Sequence, residues 1–133
     1  MFIILKNLRL SGHCFDSFSE NNNIQELLIE NCEFDSKIKI YNFTLNLKNL
    51  IKLEIICTRD DKIIKALNSS RIENLTDVNI TALCGRPDAD LLEFLLRQKK
   101  LSKLCIKHVL FDSDFINKLL RFISKTNGLY NEI

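Results

Sequence analysis

The chain of 133 residues has no tryptophan, three glycines and a single proline, Pro87. So little glycine and proline excludes collagen-like and proline-rich classes. It also disfavours an all-β fold stitched by many tight turns, because such turns draw on those two residues. Histidine is scarce: His13 and His108 are the only two. Neither stands with a nucleophile, and no glycine-rich phosphate loop or metal-ligand spacing occurs. The sequence therefore predicts no catalytic residues, no cofactor, no metal and no enzyme. Long apolar runs are missing too. Phe2-Ile3-Ile4-Leu5 ends at Lys6 and is too short for a signal-peptide core. No stretch approaches the roughly 18 apolar residues of a membrane helix. The expected setting is intracellular, cytoplasm or nucleus, with no membrane contact.

Five cysteines are present: Cys14, Cys32, Cys57, Cys84 and Cys105. The number is odd and no pair is spaced C-x-x-C, so they read as small buried hydrophobes in a reducing compartment. Hydrophobic residues make up 46% of the chain and charged ones 27%, which places it among globular proteins rather than disordered ones. The net charge of +2 is unevenly spread. Residues 97–133 carry eight Lys/Arg against three acids, and residues 1–96 carry eleven against fourteen.

One six-residue pattern recurs: apolar, two variable, apolar, one variable, apolar. It reads Leu5-x-x-Leu8-x-Leu10, Ile24-x-x-Leu27-x-Ile29, Leu50-x-x-Leu53-x-Ile55, Leu75-x-x-Val78-x-Ile80 and Leu101-x-x-Leu104-x-Ile106. The copies start at 5, 24, 50, 75 and 101, at intervals of 19, 26, 25 and 26. The segment Asn127 to Ile133 falls one further period on and is placed to open a sixth strand. The final apolar pair of each copy alternates with variable residues, which is strand periodicity. Some 20 residues then separate one strand from the next, enough for the helical crossover that parallel strands need. Helices are predicted within Asp60–Leu67, within Asp88–Leu96 just after Pro87, and within Ser113–Ile123 with Ser113 as N-cap. The crossover Phe15–Asn23 reads as a loop without a full helix. The crossover 35–49 stays open between helix and extended chain. No strand-plus-helix unit can bury its apolar face alone, so stacked units form one core.

This arrangement resembles leucine-rich repeats of the longer kind. It is similar to the irregular, cysteine-bearing repeats of F-box substrate receptors in cullin-type ubiquitin ligases. The second copy matches best, as Ile24-x-x-Leu27-x-Ile29-x-x-Cys32-x-Phe34. The other copies put His13, Thr58, Leu83 and Val109 at the position of Cys32, and Phe15 and Phe111 share the position of Phe34. The resemblance covers about residues 3–125. It implies an α/β leucine-rich-repeat solenoid, a single domain over 1–133. About five parallel strands would line a concave face, with helical crossovers on the convex face.

The variable strand positions would then form three columns on the concave face. The first is Asn7, Glu26, Lys52, Asp77, Lys103. The second is Arg9, Leu28, Glu54, Asn79, Cys105. The third is Ser11, Glu30, Ile56, Thr81, Lys107. The implied function is a protein-binding scaffold, read further as a substrate-recognition module of a ubiquitin ligase. Glu26, Leu28, Glu30, Lys52, Glu54, Ile56, Asp77 and Asn79 are the candidate contact residues, with Leu28 and Ile56 as a shared apolar patch. The alternative is nucleic-acid binding by the basic segment 97–125, with Lys99, Lys100, Lys103, Lys107 and His108 near the last strand. Neither end of the repeat array looks capped, so either the chain is part of a longer product or its ends are covered by self-association.

Overall fold

The computed structural model describes residues 1–10, 23–34, 47–58, 62–85, 88–126 and 128–133. Among these residues eleven elements follow one another: β1 (Phe2–Lys6), β2 (Arg9–Leu10), β3 (Glu26–Glu30), β4 (Glu33–Phe34), β5 (Lys52–Ile56), α1 (Lys62–Ser69), β6 (Asp77–Thr81), α2 (Asp88–Leu96), β7 (Lys103–Lys107), α3 (Ser113–Lys125) and β8 (Tyr130–Glu132). Six strands form a parallel sheet in the order β1-β3-β5-β6-β7-β8. The order in space is thus the order in sequence. A second, two-stranded parallel sheet joins β2 to β4.

The strand sequences explain which face is buried. In β3, β5, β6 and β7 the second and fourth residues are buried, and the first, third and fifth are not. One row runs Ile3, Leu27, Leu53, Val78, Leu104 and the next Leu5, Ile29, Ile55, Ile80, Ile106, all buried but the partly buried Ile3 and Leu5. A third row, Ile24, Leu50, Leu75 and Leu101, precedes the strands and is also buried. Each fully buried Leu or Ile contributes about 1.5–3 kcal/mol from burial alone. Against these rows pack Ile63, Ile64 and Leu67 of α1, Leu91, Phe94 and Leu95 of α2, and Phe115 and Leu119 of α3. The helices therefore cover one face of the sheet, and no described element covers the other.

Each helix is held by specific polar contacts. Asp112, not Ser113, caps α3: its carboxylate accepts from the Phe115 N–H at 2.7 Å. Ser113 is the first helical residue, and the acid one position earlier carries the charge that suits a helix N-terminus. Phe111 stacks on Phe115, with ring centroids 4.5 Å apart. Arg97, just past α2, donates to the Asn68 carbonyl at 2.7 Å and so satisfies the C-terminal end of α1. Buried Gln98 donates to the carbonyls of Ile72 (2.7 Å) and Phe94 (3.0 Å) and accepts from the Leu75 N–H (3.2 Å). It thereby joins two successive crossovers.

The residue after each of five strands has a left-handed backbone: Asn7, Asn31, Cys57, Ala82 and His108, with φ between 50° and 57°. Four of their N–H groups donate across to the last residue of the neighbouring strand, the carbonyls of Glu30, Ile56, Thr81 and Lys107. This bend turns the chain out of the sheet at the same level in every unit.

The first unit differs from its sequence reading. β1 begins at Phe2, and its register sets Phe2 beside Glu26, Ile4 beside Leu28 and Lys6 beside Glu30. The strands of the main sheet start at 2, 26, 52, 77, 103 and 130, so the intervals are 24, 26, 25, 26 and 27. Leu5-x-x-Leu8-x-Leu10 is out of phase: Leu8 is 45% exposed, and Arg9 and Leu10 belong to the small sheet. The cause is that Phe2-Ile3-Ile4-Leu5 is apolar on both faces, which erases the alternation that marks the other strands. The expected places of Asn7, Arg9 and Ser11 in the columns thus pass to Phe2, Ile4 and Lys6. The sixth strand forms as β8.

Cysteine burial is also mixed. Cys32 is buried, its thiol 3.4 Å from the carbonyls of Leu5 and Glu30. Cys57 and Cys84 are exposed rather than buried, because both follow the strands where the chain leaves the core. Cys14, His13 and Phe15, with the whole crossover 15–22 and residues 35–46, lie outside the described residues.

Candidate functional site

The open face of the sheet carries the odd-numbered positions of the strands, and their lateral order follows from the register. The first column is Phe2, Glu26, Lys52, Asp77, Lys103, Tyr130. The second is Ile4, Leu28, Glu54, Asn79, Cys105, Glu132. The third is Lys6, Glu30, Ile56, Thr81, Lys107. All eight candidate contact residues stand on this face. Five of them, Glu26, Lys52, Glu54, Asp77 and Asn79, line a groove of about 500 Å³ together with Lys103, Cys105, Lys107 and Glu132.

Part of the charge is neutralised within the face. Lys6 pairs with Glu30 at 3.1 Å, Lys52 with Glu26 at 3.6 Å, and Lys107 with Glu132. Each such exposed pair contributes under about 1 kcal/mol. Lys103 sits over the Tyr130 ring, 6.0 Å from its centroid. Glu132 also accepts from the Tyr130 hydroxyl. Those bonds hold the Glu132 carboxyl below its ordinary value, the hydrogen bond from Lys107 being the largest cause. They raise Lys107 and Tyr130 through the same carboxylate. Glu54 and Asp77 are left at the centre of the groove with no ion-pair partner among the described residues. Asn79 accepts from the Thr81 hydroxyl at 2.8 Å.

The apolar part of the face lies at its β1 end. Phe2 and Ile4 are 54% and 53% exposed, and Leu28 is half-buried beside Ile4. Leu28 and Ile56, expected to share an apolar patch, stand on adjacent strands as diagonal rather than lateral neighbours. The lateral neighbours of Leu28 are Ile4 and Glu54, and those of Ile56 are Glu30 and Thr81. The basic residues of the last third do not form one row. Lys99 and Lys100 lie in the turn before β7, Lys103 and Lys107 at its two ends, and His108 in the bend after it.

Phe2, Ile4, Tyr130 and Glu132 were missed from sequence. The signal for the latter two was the period of 27 from Lys103; the signal for the former was hidden by the apolar run. Among the described residues, no group of three or more His, Cys, Asp or Glu could hold a metal ion. No helix among them is long and apolar enough to cross a membrane. Compared with protein-family models, curated proteins and solved structures, the chain has no significant match.

Proposed function

We propose that this chain is a leucine-rich-repeat-like binding module that docks a protein partner on the open face of its parallel sheet. The observation that carries this reading is the groove itself. The helices occupy one face, and the other presents a depression lined by polar and charged side chains with an apolar border. Such a surface offers directional contacts at its centre and apolar area to bury at its β1 end. Glu54 and Asp77 favour a partner that brings a cationic side chain to the middle of the groove. The resemblance to F-box receptors extends the proposal to substrate recognition in a ubiquitin ligase.

The test uses charge reversal on each face of the sheet. Glu54→Lys and Asp77→Lys change the groove, and Lys118→Glu changes the helical side. All three sites are exposed or half-exposed, so the fold should survive, as a thermal melt will show. Partners co-purified from source cells should be lost with the two groove variants and retained with Lys118→Glu. Retention by all three, or loss only with Lys118→Glu, would remove the open face as the docking surface.

A further inference from the structure

β1 ends the main sheet, and among the described residues its outer edge pairs with no other strand. It is five residues long, unbroken by glycine or proline, and apolar at Phe2, Ile3, Ile4 and Leu5. Such an edge is a template for another strand. Phe2 and Ile4 stand exposed on the open face, while Ile3 and Leu5 pack partly into the core.

The opposite edge is built to refuse a strand. β8 spans Tyr130–Glu132. Its middle residue, Asn131, stands in the row occupied elsewhere by Leu27, Leu53, Val78 and Leu104. A strand added outside β8 would bury that amide in an apolar row, which is costly without a hydrogen-bond partner. Glu132 is already tied back to Lys107 and Tyr130. An inward polar residue is a common way to close an edge.

We propose that the β1 edge pairs antiparallel with the β1 edge of a second copy of this chain, giving a two-fold dimer. Stacking β8 of one copy on β1 of the next would bury Asn131, so the like edge is the better partner. A two-fold axis through Ile4 pairs all five residues. Phe2 lies opposite Lys6 of the second copy, Ile3 opposite Leu5, and Ile4 opposite Ile4. Directly opposed residues of an antiparallel pair share a face. The apolar row of Ile3 and Leu5 therefore continues across the axis on the core side. Lys6, the one charge on β1, meets an aromatic ring rather than another lysine, which allows a cation–π contact. The interface is self-complementary and closes at two copies. It also joins the exposed Phe2 and Ile4 and the half-buried Leu28 of both copies into one apolar strip.

The experiment is sedimentation equilibrium over a range of concentrations. The expected result is a species of twice the 15.5 kDa chain mass that does not grow further. Ile4→Lys alone and Ile4→Glu alone should each raise the dissociation constant by about a hundredfold or more, because each sets like charges on the axis. An equimolar mixture of the two should regain the dimer, since residue 4 meets residue 4. Unchanged thermal melts of the variants would show that the loss is one of pairing; if either variant unfolds, the mass of the natural chain decides. A chain monomeric up to about 1 mM would overturn the proposal. So would assemblies that lengthen with concentration and survive Ile4→Lys, the mark of β8 stacking on β1.

Discussion

The side-chain amide of Asn31 donates to Oδ1 of Asn7 across 2.7 Å, and both residues lie in the left-handed bend that ends a strand. Asparagine tolerates this backbone better than most residues, and a short side chain can bond locally there. Cys57 and Ala82 adopt the same bend without that advantage. Ala82 is the clearest case, since a methyl group gains nothing from the conformation. Ala82→Gly should raise stability by about 1 kcal/mol, read as a higher urea midpoint at unchanged slope. Ala82→Val should lower it, because a β-branched side chain crowds this backbone most.

Gln98 is buried and answers three backbone groups at once, those of Ile72, Leu75 and Phe94. Gln98→Leu keeps the volume nearly constant and leaves the three groups unsatisfied. The expected loss is about 3 kcal/mol, each orphaned group costing about 1–3 and partial relaxation recovering some of it. Chemical unfolding would measure it. A loss below about half a kcal/mol would mean that water or the neighbouring chain replaces the amide.

Thr58 presents the reverse situation. It is fully buried, and its hydroxyl has no hydrogen-bond partner among the described residues. Thr58→Val removes an unpaired polar group and should stabilise the protein by about 1 kcal/mol. Its position corresponds to that of Cys32, whose thiol does reach two carbonyls. A destabilised Thr58→Val protein would show that the hydroxyl is satisfied in solution.

The last strand should loosen at both ends of the pH scale. Glu132 has a lowered pKa, so its contribution is present above the ordinary carboxylate value of 4.5 and is lost as pH falls through the folded value. Lys107 and Tyr130 have raised values. Their contributions are present below the ordinary values, 10.5 and 10.0, and are lost as pH rises through the folded ones. All three are open to solvent, so the effect is local and salt-sensitive. Hydrogen exchange at the Tyr130 amide, which donates to the Ser102 carbonyl, should accelerate in acid beyond its intrinsic trend. Glu132→Gln should remove that acid acceleration.

Strand and helix placement was legible wherever one face is apolar and the other polar. Leu27 and Ile29, Leu53 and Ile55, Val78 and Ile80, and Leu104 and Ile106 all stand in the core as their spacing predicts. β1 was misread because Phe2-Ile3-Ile4-Leu5 carries no polar beat to fix its phase. The cap of α3 was misread by one residue because Asp112 and Ser113 are both good caps, and only backbone geometry decides between them. The open-face position of Glu26, Lys52, Glu54, Asp77 and Asn79 followed from the same alternation. The neutralising role of Glu132 did not, since it depends on a three-residue strand too short to show a period.

Spatial order and sequence order coincide in the main sheet, so Phe2 and Glu132 lie in opposite edge strands. A pull on those two strands would run across the sheet, along the hydrogen bonds rather than along the strands. The bonds between strands would then be loaded a few at a time, as in a zipper, instead of all together as in shear. Held between two attachments, such a chain would yield at low force, strand by strand, and rewind as each unit recovered its neighbour.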